Sequence, residues 1–288
     1  MDISIIIPSY NTKDLLVRCL ESIFQSLKNA QFSYEVLVVD NASIDGSIEI
    51  LNTKYPQVIK ILNKENIGYG KANNQGIQKA RGTYLLLLNS DIQVLDGAIE
   101  KLFIYNNSHP SEFVGGKLLN EDQSPQASCG PLYTLPVVAI MLFAKGDDWK
   151  ATRYSPEKIR KVDWVSGACL IGKKQSFLDV GLFDESIFMY MEEIDFLYRA
   201  KRKGHTVFFY PDARFIHTGA ASSSTKRTPV VNIYCGLLYF YRKHMSIIGQ
   251  RALAVLLALK AWVVILIAKS TGKQELAAIY EEALRMVK

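Results

Sequence analysis

The sequence contains few cysteines, and their spacing fits no cysteine-based site. Four are present, Cys19, Cys129, Cys169 and Cys235. They stand far apart along the chain, which excludes the paired spacing of a zinc site and the cysteine density of a disulfide framework. A reducing cytoplasm is the compartment that best fits this usage. Internal sequence repeats are also absent.

A secretory leader and a disordered composition are absent as well. The apolar run Ile3 to Ile7 follows an aspartate rather than a basic segment and ends at Pro8, which indicates a first strand and not a leader. Of the 288 residues, 49% are apolar and 22% are charged, values that are typical of globular proteins. This length suits one large α/β domain with an appendage.

The formal net charge of +6 predicts an anionic partner: a nucleotide, a nucleic acid or an anionic membrane surface. Much of the excess lies late, at 201–203, 226–227 and 242–243, and the last pair precedes an apolar stretch from Ala252 to Ala268. That placement favours a membrane over nucleic acid. Because the stretch is at the short limit for crossing a hydrocarbon core of about 30 Å, an in-plane or re-entrant helix fits it at least as well as a span.

The first hundred residues show the pattern of a doubly wound α/β sheet. Continuously apolar, β-branched runs predict parallel strands buried on both faces. The predicted strands are 3–8, 35–40, 58–62 and 84–88, and the predicted helices are 15–24 and 69–81. From Gly115 to Asp163 the periodicity is lost, which predicts loops over the site. Beyond it we predict strands at 164–171 and 205–210 and helices at 177–180, 193–203, 232–244 and 274–287.

Polar segments follow the predicted strands at their carboxyl ends, where ligands sit in such sheets. They are 9–11, 40–43, 63–70 and 89–91. Each alone is better explained as an ordinary turn or cap. Four together indicate a binding site, in which Asp40 and Asn41 are suited to a nucleobase edge and Tyr10, after the rigid Pro8, to stacking on a base.

Asn89, Ser90 and Asp91 follow the fourth strand, where a diphosphate would lie. Carboxylate oxygens suit Mg²⁺ or Mn²⁺, so Asp91 is a candidate metal ligand. Taken alone, this segment is better explained as the cap of a helix that begins by Asp96. His217, at a strand-to-loop exit, is either a structural histidine or a nitrogen ligand of the same metal.

Glu192 and Glu193, with Asp195, place three carboxylates at the start of a helix. The helix dipole alone would favour them there, whereas burial among apolar neighbours would tune one of them as a general base. Lys226 and Arg227 are suited to closing over a diphosphate as cations, and their alternative is a solvated loop.

Taken together, these segments resemble glycosyltransferase family 2, the inverting group with the GT-A fold, and within it rhamnosyltransferase-like bacterial members. The resemblance covers roughly residues 3–224. It rests on IIIPSYN at 5–11, VVDNASIDGS at 38–47, NIGYGKANNQG at 66–76, LNSD at 88–91, VSGACLI at 165–171, GLFDE at 181–185, MEEIDF at 191–196 and HTG at 217–219. Two sequence features depart from the family pattern. Asn89 replaces the first acid of the usual Asp-x-Asp signature, and Glu193 stands where the base is often aspartate.

The resemblance implies a mostly parallel, Rossmann-like GT-A domain over 1–228, with a nucleotide-binding half at 1–110 and an acceptor-binding half at 111–228. A helical, membrane-associating region follows at 229–288. The implied nucleotide and phosphate contacts are Pro8, Tyr10, Asn11, Asp40, Asn41, Asn66, Gly68, Lys71, Asn89 and Ser90. Asp91 and His217 would ligate Mg²⁺ or Mn²⁺, and Glu193, or failing it Glu192, would be the catalytic base.

The implied activity is inverting transfer of a sugar from a dTDP- or UDP-sugar, with dTDP-rhamnose as one candidate. The implied acceptor is a glycan or a polyprenyl-diphosphate-linked sugar at the inner face of the cell membrane, and nucleic acid is not an expected partner. A polyprenyl-phosphate glycosyltransferase is the alternative. A sugar nucleotidyltransferase is less favoured because Pro8 to Asn11 replaces its Gly-rich basic loop, and the intact acids argue against a non-catalytic scaffold.

Overall fold

The computed structural model describes residues 1–110, 112–144, 146–219 and 227–287. Its strands are β1 (Ile3–Ser9), β2 (Tyr34–Asp40), β3 (Ile59–Leu62), β4 (Tyr84–Leu88), β5 (Ile92–Val94), β6 (Glu112–Leu119), β7 (Cys129–Gly130), β8 (Arg160–Lys161), β9 (Trp164–Val165), β10 (Cys169–Lys173) and β11 (Thr206–His217). Its helices are α1 (Lys13–Ser26), α2 (Ser47–Thr53), α3 (Tyr69–Lys79), α4 (Ala98–Ser108), α5 (Leu135–Phe143), α6 (Lys174–Val180), α7 (Glu192–Arg202), α8 (Arg227–His244), α9 (Ile247–Ser270) and α10 (Gln274–Met286).

The centre of the molecule is a mixed, mostly parallel sheet. Its strands are ordered β3-β2-β1-β4-β10-β6-β11-β5, with β8 paired to β11. The first four strands are parallel, and β11 is parallel to β6. β10 runs antiparallel between β4 and β6, and β5 is antiparallel to β11. The carboxyl ends of β1, β2 and β4 therefore lie at one edge.

Each face of the sheet carries its own apolar core, because side chains alternate along a strand. Ile5, Ile7 and Leu86 pack with α1 and α4 on one face. Ile6 and Leu87 point to the other face, where the core continues into α7, α8 and α9. The C-terminal helices are thus packed on the sheet layer, and the division of the chain at residue 228 stays a prediction.

The position of β5 excludes the interpretation of Asp91 as a helix cap. It begins directly after Asp91, and the next helix begins only at Ala98, with Gly97 at its N-cap. Asp91 is therefore too far from that helix to cap it, and the helix-cap alternative was wrong.

The expectation of loops from Gly115 to Asp163 was also wrong, since β6 and α5 lie there. β6 has little side-chain pattern because two adjacent glycines occupy its middle. A Cβ on Gly115 would lie 2.5 Å from the Cβ of Val165, and one on Gly116 would lie 2.5 Å from the ring of Phe215. The glycines are needed for close packing, and they remove the signal by which strands are recognised.

Two further strands differ from their predictions. The run predicted at 164–171 is split into β9 and β10 by a turn at 166–168. β11 extends past its predicted end to His217, and its register with β6 shifts between Tyr210 and Arg214. That irregularity accommodates Pro211, which cannot donate a ladder hydrogen bond.

α9 is long and apolar enough to cross a membrane by length and composition, and a stretch of 18 residues within it has a mean hydropathy of 2.3. One face of it is packed within the protein, through Leu253, Leu257, Ala261, Ile265 and Ala268. The opposite face exposes large apolar side chains, including Trp262 at 62% and Leu266 at 73%. A single helix of this kind is weak support for a span.

Candidate active site

A cavity of about 390 Å³ opens at the carboxyl ends of β1 and β4. It brings together most of the residues singled out from the sequence, although they are spread over the chain. These are Pro8, Tyr10, Asn41, Asn66, Asn89, Ser90, Asp91, Glu192, Glu193 and His217. The candidate nucleotide, metal and base positions therefore share one space.

Four candidate positions lie outside the cavity lining. Asp40 is fully buried beneath it, where one carboxylate oxygen accepts from the backbone N–H of Ser43 at 2.9 Å and the other meets no donor among the described residues. Asn11 is exposed, and its side chain accepts from the backbone N–H of Ile44 at 2.9 Å. Both residues shape the loop after β2.

The other two, Gly68 and Lys71, lie at the start of α3. Lys71 points to solvent, with its ammonium 3.8 Å from the carboxylate of Glu185. Gly68 has a left-handed φ of +85°, and a Cβ there would lie 2.4 Å from the carbonyl oxygen of Phe188. Only glycine allows the segment before α7 to approach α3 so closely.

Asp91 and His217 meet although 126 positions separate them in sequence, because β11 ends beside the start of β5. The Nε2 atom of His217 lies 3.4 Å from Oδ1 of Asp91 and 3.3 Å from Nδ2 of Asn89. The second oxygen of Asp91 accepts from the backbone N–H of Gly219 at 2.9 Å. Asn89 Oδ1 is buried, with no hydrogen-bond partner in the described ranges.

The groups around Asp91 and His217 can be compared with those that a divalent cation needs. Across the part of the chain that the structure describes, no group of three or more His, Cys, Asp or Glu side chains is placed to hold a metal. One carboxylate and one imidazole nitrogen nevertheless lie together in the cavity lining, and Mg²⁺ and Mn²⁺ commonly take few protein ligands together with substrate phosphates. The donor set fits such an ion when a diphosphate supplies the remaining ligands.

Glu192 and Glu193 begin α7 on the opposite side of the cavity lining, and each keeps one buried carboxylate oxygen that meets no donor in the described structure. Burial, and then the charge of Glu193, raises the pKa of Glu192 well above the usual range. Burial also raises the pKa of Glu193, although the backbone N–H of Gly167 opposes that rise. Two carboxyl groups with raised pKa values in one cavity are suited to proton transfer.

The chain reaches these glutamates through a strained turn. Tyr190 and Met191 both adopt left-handed conformations, with φ of 68° and 75°, and each such conformation costs roughly 1–3 kcal/mol. The carbonyl of Phe188 holds the segment in place by accepting from the backbone N–H of Tyr69 at 3.0 Å. The turn directs the first residues of α7 toward the cavity.

Asp195, grouped with the two glutamates in sequence, lies elsewhere. It is fully buried, and it accepts from Arg199 Nε at 2.8 Å, Lys243 Nζ at 3.0 Å and His244 Nε2 at 2.7 Å. Burial opposes its ionisation, but these hydrogen bonds outweigh burial and hold the pKa of Asp195 below the usual aspartate range. Asp195 joins α7 to the end of α8 and does not line the cavity.

Several lining residues had no assigned role from the sequence. They are Ser9, Thr12, Tyr69, Ser166, Gly167, Ala168, Phe188, Met189 and Tyr190. Some lie within the family motifs, at 66–76 and 165–171, which was the available signal. Phe188 and Met189 lie between motifs and carried none. Lys226 lies outside the described residues, as does the side chain of Arg227.

Comparison with known proteins agrees with this fold. Residues 4–127 match the Glycosyl transferase family 2 profile. The N-acetylglucosaminyl-diphospho-decaprenol L-rhamnosyltransferase of Mycobacterium tuberculosis is 30% identical over 218 residues, which are 69% of this chain and 70% of that protein. The poly(ribitol-phosphate) beta-glucosyltransferase of Bacillus spizizenii is 35% identical over 122 residues, 41% of this chain and 19% of that protein.

A solved structure gives the same architecture. GalNAc-T7, crystallised with UDP, GalNAc and Mn²⁺, superposes with a TM-score of 0.59 at 18% identity. The match covers 84% of this chain and spans 50% of that one, and at this identity it shows the fold alone. The fold and the sequence relatives lead to one conclusion: the chain belongs to glycosyltransferase family 2 and is a glycosyltransferase.

Proposed function

We propose that this enzyme transfers a sugar, with inversion, from a nucleotide-diphosphate donor to a glycan or polyprenyl-diphosphate-linked acceptor in cell-surface polysaccharide synthesis. The observation that carries the proposal is the cavity in which a buried glutamate pair and the Asp91–His217 pair lie together. The mycobacterial relative, whose name states rhamnosyl transfer to a decaprenol-linked sugar, makes dTDP-rhamnose the first donor to test.

In this proposal Glu193 removes the proton from the attacking acceptor hydroxyl. Glu192 is the more deeply buried of the two, and its pKa is raised by the charge of Glu193, so Glu192 stays protonated while Glu193 ionises. The Gly167 N–H orients the Glu193 carboxylate. The hydroxyl then attacks the anomeric carbon opposite the leaving nucleotide, and one displacement inverts its configuration.

The donor's base and ribose would lie along Pro8, Tyr10, Asn41 and Asn66. The phenol ring of Tyr10 offers a stacking face, and Asp40 supports the loop from below. Asp91 and His217 would hold Mg²⁺ or Mn²⁺ next to the diphosphate. When bound, that ion would neutralise charge that develops on the leaving group.

We also propose that the exposed face of α9 rests on the cytoplasmic surface of the membrane. Ile248, Val255, Leu259, Trp262 and Leu266 form an apolar stripe at helical spacing, and all are exposed. Arg251 lies in that stripe one turn after Ile248, Lys269 follows its last member, and both are exposed. Because the opposite face of α9 is packed on the protein, we favour an in-plane helix, with basic ends that reach anionic headgroups.

The test is a screen of dTDP- and UDP-sugars with Mn²⁺ or Mg²⁺, followed by nucleotide release and by transfer to polyprenyl-diphosphate-linked N-acetylglucosamine. Asp91→Ala and Glu193→Gln should each reduce turnover at least ~100-fold, the lower range for loss of a catalytic proton acceptor. Asp148→Ala, at an exposed aspartate that is not part of the cavity lining, is the control and should leave turnover unchanged.

Two outcomes would redirect the proposal. Undiminished turnover in EDTA would show that the reaction needs no divalent metal ion. Full activity of Glu193→Gln would show that no base is needed, as expected for an acceptor that is already an anionic phosphate, and would favour a polyprenyl-phosphate glycosyltransferase.

A further inference from the structure

Gln126 contacts both the imidazole ring and the backbone carbonyl of the candidate ligand His217. Its Oε1 lies 2.7 Å from Nδ1 of the imidazole, and its Nε2 donates to the backbone carbonyl of the same histidine at 3.2 Å. The same amide nitrogen donates to Oδ1 of Asn120 at 3.1 Å. Gln126 does not line the cavity, and it lies in the segment whose sequence shows no pattern.

These contacts determine the tautomer of His217. The backbone carbonyl is only an acceptor, so the amide nitrogen of Gln126 must face it, and the amide oxygen must face Nδ1. That oxygen is also only an acceptor, so Nδ1 carries the hydrogen. A neutral imidazole has a single N–H, and Nε2 therefore presents a lone pair.

The lone pair on Nε2 faces Oδ1 of Asp91 at 3.4 Å. Two hydrogen-bond acceptors at this separation are stabilised by a positive group that lies between them. A divalent cation can be that group. The N–H of Asn89 at 3.3 Å satisfies Nε2 in the ion-free arrangement. The geometry is consistent with a ligand nitrogen kept deprotonated and aimed at an ion site.

We propose that Gln126 is a positioning residue that holds His217 in the Nδ1–H tautomer, so that Nε2 is free to ligate the metal. This inference rests on the metal site of the proposed function. Partners of this kind, which bond the second nitrogen of a ligating histidine, change metal affinity by ~10–100-fold when they are removed.

The test compares Gln126→Leu, which removes both contacts at similar volume, with Gln126→Glu, which keeps an acceptor at Nδ1. Binding of Mn²⁺ in the presence of UDP or dTDP, whose diphosphate supplies the remaining ligands, is titrated by electron paramagnetic resonance. Gln126→Leu should weaken Mn²⁺ binding ~10–100-fold, and Gln126→Glu should retain most of it. Gln93→Leu, the same change at an exposed glutamine on β5, is the matched control and should bind as the parent does.

A second readout needs no metal. The chain has 4 histidines, so ¹⁵N-histidine NMR gives few signals, and a His217→Asn sample identifies those of His217. The parent should show Nδ1 protonated, and Gln126→Leu should show a mixture of tautomers. An Nε2–H tautomer in the parent, or an unchanged tautomer and unchanged Mn²⁺ affinity in Gln126→Leu, would overturn the proposal.

The metal site and the role of Gln126 can be refuted separately. If the parent binds Mn²⁺ no better than Asp91→Ala does, the metal site itself is lost and the role of Gln126 with it. If Asp91→Ala loses Mn²⁺ while Gln126→Leu keeps it, only the role of Gln126 is lost.

Discussion

Replacing Asp195 by asparagine should destabilise the protein strongly, although the residue lies outside the cavity lining. Its carboxylate is fully buried, receives charged donors from Arg199 and Lys243, and is hydrogen-bonded to His244. Removing one partner of a buried ion pair costs about 3–5 kcal/mol, because the remaining charges stay desolvated. Asparagine keeps the shape and one acceptor, and Lys243 keeps its contact with Asp184 at 2.6 Å. We therefore expect the free energy of unfolding to fall by about 3 kcal/mol, the lower end of that range.

Thermal unfolding followed by circular dichroism measures this effect. For a chain of this size, ~3 kcal/mol corresponds to a decrease in Tm of roughly 6–12 °C. The control is Glu281→Gln at the Lys269–Glu281 pair, whose side chains are 56% and 40% exposed. Such surface pairs contribute only about 0–1 kcal/mol, so the control should shift Tm little.

The pH dependence of stability provides an independent check on the role of Asp195. The pKa of Asp195 is lowered by folding, so its contribution to stability is present above the unfolded pKa of ~3.9 and is lost as pH falls through the folded value. The difference in Tm between Asp195→Asn and the parent should narrow in that acidic window. If Asp195→Asn is as stable as Glu281→Gln at neutral pH, the buried carboxylate of Asp195 does not stabilise the fold as we infer.

The remaining predictions concern the base and the membrane. Since the pKa of Glu193 is raised by burial, the acid limb of the kcat profile should lie above ~4.3, the ordinary glutamate value. Glu192→Gln should leave this limb in place, because a protonated Glu192 carries no charge that the substitution could remove. A limb at or below the ordinary value, or one that falls to it in Glu192→Gln, would contradict this role for the pair. For the membrane, the parent should float with vesicles containing anionic lipid, and Trp262→Ser combined with Leu266→Ser should reduce flotation several-fold through lost apolar burial. Ile104→Ser, an exposed apolar residue on α4, is the control. Equal flotation of all three proteins, or a dimer that dissociates only in the double variant, would argue for a second copy on this face.

The position of the cavity was predictable because parallel strands end at one edge of a sheet. Pro8, Asn41 and Asn89 each follow such a strand, and all three line the cavity. The contact between Asp91 and His217 was one of two alternatives for His217 in the sequence, and the family resemblance favoured it. No local pattern reports that β11 ends beside β5.

Other features of the structure could not be predicted from the sequence, each for a physical reason. β6 lacks a side-chain pattern because Gly115 and Gly116 occupy its centre. Asp195 seemed to cluster with Glu193, but residues two apart on a helix point to different sides, so proximity in sequence misled. Gln126 carried no signal, since a lone glutamine acquires its role only from the strand end beside it.

The antiparallel β10 also has a consequence for how the chain is made. β4 is complete once residue 88 is synthesised, yet one of its edges is covered only by β10, residues 169–173. The family match ends at 127, so a chain released there would carry unpaired edges on both β4 and β6, which invite pairing with other chains. We expect the emerging polypeptide to depend on chaperones until β10 is available, and the half that resembles a nucleotide-binding unit to be unable to mature by itself.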